Sequence, residues 1–364
     1  MDRTGLSRAT VSSVIGELAG RGLISERRVP APRGIGRPVA RVTLNRAAGL
    51  AIGVDIGVSH VAVAVGDLSR SVLVERWTSL PRGHRATEGV GLVLASIEEA
   101  LEEASADPDQ LVGAAISIAA PVAPDSSRLL VPGVLPGWNG SELTEQVAQR
   151  WGIPVAMEND ANLGALGESV FCGVDDEPIL YVKVASRIGL GITLGSTLHR
   201  GHDGYAGEFG HVTVDPAGAT CWCGRRGCLE LYAGGDGLLR ALADCRPRIA
   251  SVDDLIRLAH RGDAQVLAAV AAGARALAGA LANVALVLNP SSILLGGELA
   301  ALGDLLAGPI RDELQNIPFG RPVRVATSAL GERASLLGAL ALVLSESTRF
   351  EDLSREGPAE ATTA

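Results

Sequence analysis

His211, Cys221, Cys223 and Cys228 place one imidazole and three thiols within a short stretch of this chain. That donor set suits a tetrahedral structural zinc, with no coordination position left open for catalysis. The chain has five cysteines, and no export signal opens it, so three clustered thiols read as metal ligands rather than disulfide partners. Gly224 and Gly227 let the backbone curl so that the thiolates converge. Cys172 and Cys245 stand apart and read as ordinary core residues. Glu208 lies three residues before His211, and Glu230 two residues after Cys228. Either glutamate alone is more often a surface charge. On a loop stapled by one metal, both would have fixed directions and could accept hydrogen bonds from neighbouring sugar hydroxyls.

Such a loop needs a scaffold. Three strands are expected in succession at 50–57, 60–67 and 71–77, then a helix over 88–104 and a strand over 111–118. A Pro/Gly-rich loop and a helix over 141–151 lead to a short strand, 154–158, that ends at Asn159-Asp160. Beyond it the periodicity predicts helix 161–170, strand 178–184, a glycine-bearing hairpin at 186–195 and the cysteine cluster. Ala/Leu helices at about 253–289, strand 292–297, helix 300–315, strand 322–326 and helix 332–347 follow. Strand meanders that pass into strand–helix alternation, twice over, indicate two α/β lobes with a ligand cleft between them. Residues 349–364 read as a disordered tail.

The N-terminal region differs. Val11, Val14, Ile15 and Leu18 form the stripe of an amphipathic helix with Ser7 as its N-cap. Two short strands, 23–28 and 39–44, flank a Pro/Gly/Arg loop. Helix then hairpin is the order of a winged helix-turn-helix. Arg8, Thr10, Ser12 and Ser13 on the helix could reach bases or phosphates, and Arg33 and Arg37 in the loop could enter a minor groove. Residues 1–46 hold nine arginines and three acids, a net of +6, which leaves −15 on the rest of a chain whose total is −9. A basic arm on an acidic body suits operator DNA; a solvated basic tail fits the charge equally well. Only six residues precede Ser7, so the module is expected to be incomplete and to bind DNA weakly.

Hydrophobic residues make up 47% and aromatics 3%, so the cores must be Ala, Val, Leu and Ile. No apolar run approaches the ~18 residues of a membrane span, and a cytoplasmic protein without membrane contact is expected. Lys183 is the sole lysine among 32 basic residues, which reads as codon bias of a GC-rich genome.

AGEFGH (206–211) followed by CWCGRRGCLE (221–230) resembles the paired signature of the ROK family (repressor, open reading frame, kinase). GVDIG (53–57), LPGWNG (135–140), ENDAN (158–162) and LNPSSILLGGEL (288–299) extend the resemblance from about residue 50 to 348. It implies a two-lobed actin-like ATPase (ribonuclease H-like) fold preceded by a partial winged helix. The expected division is 1–46, then a first lobe of 47–168 plus 332–348, then a second lobe of 169–331. The resemblance also implies that Asn159, Asp160, Glu208, His211 and Glu230 contact a sugar, with His211 using the ring nitrogen that zinc leaves free. Asp55, Gly57, Gly189, Gly191, Gly296 and Gly297 match the nucleotide side.

Two functions follow from it. One is a sugar-responsive transcriptional regulator, a repressor, whose effector is a sugar or sugar phosphate and which acts as a homodimer or higher oligomer. The other is an ATP- and magnesium-dependent sugar kinase with Asp160 as catalytic base. The nucleotide side departs from the kinase pattern at three places: Val58 replaces a glycine in the first phosphate hairpin, Arg187 replaces one in the second, and 119–121 read Ala-Ala-Pro. The sugar side is complete. That asymmetry favours the regulator.

Overall fold

The computed structural model describes residues 7–29, 39–45, 48–81, 86–124, 126–131, 137–173, 178–195, 197–246, 248–317 and 322–346. Arg33, Arg37 and the tail at 349–364 lie outside them.

Two five-stranded sheets share one topology. In the first, β3 (Leu50–Ile56) sits between β4 (His60–Asp67) and β6 (Leu111–Ile118), with β5 (Val72–Ser79) and β7 (Val155–Asn159) at the edges. β3, β4 and β5 run antiparallel, while β6 and β7 run parallel to β3. In the second, β8 (Ile179–Val184) is central, flanked by β9 (Ile188–Leu194) and β11 (Ser292–Gly296). The edges are β10 (Thr197–Leu198) and β12 (Arg324–Thr327). The directions repeat: β8, β9 and β10 antiparallel, β11 and β12 parallel to β8.

Strand alternation divides the side chains between an outer and an inner face. On β3, Leu50, Ile52, Val54 and Ile56 enter the first core, against α2 (Ala86–Glu103) and α3 (Gly140–Trp151). On β8, Leu180, Val182 and Val184 enter the second core. That core is closed by α5 (Glu230–Ala233), α6 (Gly235–Leu242), α7 (Val252–His260), α8 (Ala264–Leu288) and α9 (Asp304–Gln315). α5 and α6 were not anticipated; they are short and start where the cysteine loop ends. A third cluster joins the inner faces, Ala51 and Ala115 from one sheet and Ile179 and Tyr181 from the other. It is built around α4 (Asp160–Cys172) and α10 (Ala334–Glu346), which pack on each other between the sheets.

Two expectations are corrected. α8 is long and apolar enough to cross a membrane, where no such run was expected; half of its most apolar window is buried in the protein. Cys172 and Cys245 are exposed rather than core residues, because each follows the last buried turn of its helix.

At the N-terminus α1 (Arg8–Gly20) is capped by Ser7, whose Oγ accepts from Thr10 N at 3.2 Å. β1 (Ile24–Val29) and β2 (Val39–Leu44) pair antiparallel, with Ile24 opposite Leu44. Asn45 Nδ2 donates to Gly22 O at 2.7 Å and ties the hairpin to the end of the helix. Helix and hairpin thus form as expected. The apolar stripe of α1 buries none of its residues.

Candidate functional site

Ligands of open α/β sheets bind outside the carboxyl ends of the strands. Asp55 on β3, Ser117 on β6, Asn159 on β7, Lys183 on β8 and Gly296 on β11 all lie at those ends. Asn159 caps α4: its Oδ1 accepts from Ala161 N at 2.9 Å and Asn162 N at 3.2 Å, and its Nδ2 donates to Ala120 O at 3.2 Å. This cap sets Asp160 on the first turn of α4. Asp160 Oδ1 accepts from Ala161 N at 2.8 Å, and Oδ2 accepts from Lys183 Nζ at 2.8 Å.

Glu158, which opens the ENDAN motif, was not singled out by the sequence reading, yet it is buried at the α4 cap. Its buried carboxylate accepts from Asn159 N (2.8 Å), Asn162 Nδ2 (2.9 Å) and Arg200 Nε (2.5 Å). It thereby joins the α4 cap to the segment that leads into AGEFGH.

The cysteine loop folds on itself through Cys221 N to Arg225 O, Gly227 N to Ala219 O and Leu229 N to Val212 O. Gly227 has φ +61°, and a Cβ there would lie 1.6 Å from Asp215 O, so no other residue fits. His211, Cys221, Cys223 and Cys228 offer four donor atoms within 4.8 Å of one another. His211 Nδ1 lies 3.7 Å from Cys221 Sγ, and Cys223 Sγ 3.6 Å from Cys228 Sγ. Cys221 and Cys228 are buried, and burial holds both thiols above their ordinary pKa. A metal entering this set must displace protons. One imidazole and three thiols around a shared centre fit a single four-coordinate cation.

The ring nitrogens of His211 face different neighbours. Nδ1 is toward Cys221; Nε2 is 3.9 Å from Glu208 Oε2. Glu230 Oε1 lies 3.2 Å from Cys221 Sγ and 3.9 Å from His211 Nδ1. Burial, with Asp160 and Glu230 nearby, pushes Glu208 up to about 7. Glu208, from the loop before His211, and Glu230, from the start of α5, thus flank the cysteine loop.

The nucleotide-side residues are differently occupied. Asp55 Oδ2 contacts His60 Nε2 at 3.0 Å, and Oδ1 accepts from Ser117 Oγ at 2.5 Å. Burial would raise the pKa of Asp55, but the His60 contact and the Lys183 charge outweigh it and hold it below the ordinary value. The His60 ring, 5.1 Å from that of Trp77, folds over Gly57, where a Cβ would lie 2.2 Å from it. Val58 points outward, exposed. Gly189 and Gly191 admit the first turn of α4, whose Ala161 would meet a Cβ at 3.0 Å and 2.1 Å respectively. A Cβ at Gly296 would lie 2.0 Å from the Tyr181 hydroxyl, and one at Gly297, where φ is +80°, 2.6 Å from Val184 O. Arg187 stacks on Trp222 of the cysteine loop, 5.0 Å from the ring centre.

Lys183, which composition alone put down to codon bias, pairs with Asp160 at the carboxyl end of β8. Burial works against its charge, but Asp160 and Asp55 outweigh that and hold it above the ordinary lysine value.

Comparison with known proteins agrees with this architecture. The xylose repressor of Bacillus subtilis is 29% identical over 347 residues, which cover 94% of this chain and 89% of the repressor. The glucokinase of Streptomyces griseus, solved with glucose and AMPPNP, superposes with TM-score 0.69 at 31% identity, covering 81% of this chain and 99% of the kinase. A ROK family transcriptional regulator superposes with TM-score 0.78 at 23% identity, covering 96% and 92% of the two chains, so the shared fold reaches the N-terminal helix and hairpin. The pattern of the ROK family matches residues 51–346, and with the signatures at 206–211 and 221–230 in place the chain belongs to the ROK family.

Proposed function

We propose that this chain is a sugar-responsive transcriptional regulator, a repressor, that binds a sugar or sugar phosphate between its lobes. The carrying observation is the contrast within one cleft. Glu208 and Glu230 each lie 3.9 Å from His211, and Asp160 stands on the first turn of α4, a set of candidate hydroxyl acceptors. Asp55 is already occupied by His60 and Ser117. The relative with a repressor's name covers 94% of the chain, whereas the glucokinase covers 81%. Xylose, the sugar in that repressor's name, is the first effector to test.

Zinc is the metal that the thiol-rich set selects, held by His211, Cys221, Cys223 and Cys228. Its part is structural: it fixes the loop that carries Glu208 and Glu230. Sugar bound by these carboxylates alters the DNA-bound state only in so far as it binds one arrangement of the lobes more tightly than another. A symmetric dimer on a palindromic operator fits this function.

The kinase reading rests on Asp160 and would need ATP and magnesium. Both oxygens of Asp160 already have donors, from Ala161 and Lys183. Each oxygen keeps a further lone pair, so the same carboxylate can accept a sugar hydroxyl in either reading.

Two measurements test the proposal. Xylose, glucose and N-acetylhexosamines are titrated while melting temperature is recorded; the effector raises it by mass action. Asp160→Ala is expected to weaken that effector about tenfold, the cost of a hydrogen bond to a charged acceptor. Sugar-dependent ADP release near ~10 per second that vanishes in Asp160→Ala would replace the regulator with a kinase.

For DNA, Arg8, Thr10, Ser12 and Ser13 are exposed on α1. The logarithm of affinity for duplex DNA is expected to fall linearly with log salt. Arg8→Ala should make that slope shallower by about one. An unchanged slope, read by fluorescence anisotropy, removes Arg8 from the DNA contact.

A further inference from the structure

The two sheets carry opposite charges at equivalent places. Asp55 is the next-to-last residue of β3 and Lys183 the next-to-last of β8; each strand is the centre of a sheet of the same order and direction. Both side chains leave the inner face, since their outward neighbours Val54, Ile56, Val182 and Val184 enter the two outer cores. Asp160 enters from α4 between the sheets. Its Oδ2 lies 2.8 Å from Lys183 Nζ, with the two side chains 14% and 22% exposed, and Asp55 is 3% exposed. Asp160 pairs directly with Lys183, and Asp55, held by His60 and Ser117, is near enough for the Lys183 charge to act on it.

We propose that Lys183 is a built-in cation, a positioning residue that holds Asp55 and Asp160 in one cleft and makes the assembled pocket independent of divalent metal. Lys183 is the sole lysine against 31 arginines. Codon bias does not explain why arginine was excluded at this one place. Geometry does: an ammonium is a compact point charge that fits between carboxylates from different directions, and a planar guanidinium needs a flat, two-pronged partner. Lys183 thus takes up the charge-balancing task that a magnesium ion with a nucleotide would perform at these carboxylates, and with that position filled the cleft is committed to binding.

The inference rests on the sensor reading of the cleft, but its test uses no sugar, so the two can fail separately. Melting temperature is recorded for the full chain while magnesium chloride is raised through the millimolar range, with sodium chloride matching the ionic strength. The wild-type protein is expected to ignore magnesium. Lys183→Met is expected to melt several degrees lower and to regain part of that loss with magnesium, saturably. Asp55→Asn placed on Lys183→Met should abolish the response. Lys183→Arg should stay indifferent to magnesium, because charge is retained, at a lower melting temperature.

Should Lys183→Met fail to fold in sodium chloride, recovery of its fold by magnesium supports the proposal, and no recovery overturns it. A wild-type protein that magnesium stabilises also overturns it. So does a folded Lys183→Met that ignores magnesium.

Discussion

Cys223→Ser is expected to leave the protein without its metal and to weaken sugar binding at least about tenfold, or about 1.4 kcal/mol. Structural zinc is bound by small peptides with apparent free energies of about 10–16 kcal/mol. Metal-dependent ordering of the cysteine loop is therefore the largest single stabilising term available to this site. Main-chain bonds also hold the loop, among them those of Cys221, Gly227 and Leu229 and the bridges pairing Thr213 with Cys228 and Thr220 with Arg226. Glu208 and Glu230 flank it and lose their directions with it. Metal content by atomic absorption, together with sugar titration, reads both effects. A metal-free preparation that binds sugar as tightly as the wild type would show that the loop needs no staple.

Gly338→Ala is expected to destabilise the fold by about 3 kcal/mol, the upper end of overpacking costs. Gly338 lies on α10 where it crosses α4; a Cβ there would sit 1.8 Å from Leu163 O, a main-chain atom that cannot rotate away. Gly167 on α4 is as constrained, by Ala334 O at 2.4 Å. The two helices join both sheets, so forcing them apart disturbs the inner cluster and the N-terminal turn that carries Asp160. Gly279→Ala, in the middle of α8 with nothing within 4 Å of the added carbon, should have the opposite sign. It should gain about 0.4–1 kcal/mol by restricting the unfolded chain. Denaturant melts of the two variants check both signs. If Gly338→Ala proves neutral, the helix crossing has room to spare.

Local chemistry made much of this protein legible from its sequence. The strand and helix segments follow from side-chain period, which depends only on near neighbours, and all the strands but the two-residue β10 fall where alternation and turn residues place them. The metal ligands are legible for the same reason: three thiols and an imidazole are scarce residue types in a tight spacing. Glu208 and Glu230 are legible because they adjoin those ligands.

Other features depend on contacts between distant segments, and tertiary structure decided them. Lys183 looked like a relic of base composition until β8 faced β3 across the start of α4. Glu158 gained its part from Arg200, forty-two residues on. Gly57, Gly189, Gly191, Gly296 and Gly297 resemble phosphate-loop glycines by motif, yet here each meets His60, Ala161, Tyr181 or Val184 at short range. A glycine's spacing reports only that close approach is possible; what approaches is settled by which elements the fold brings together. The same holds for the charges of the cleft, since carboxylates and an ammonium far apart in the chain act on one another only after two sheets and one helix have placed them within a few ångströms.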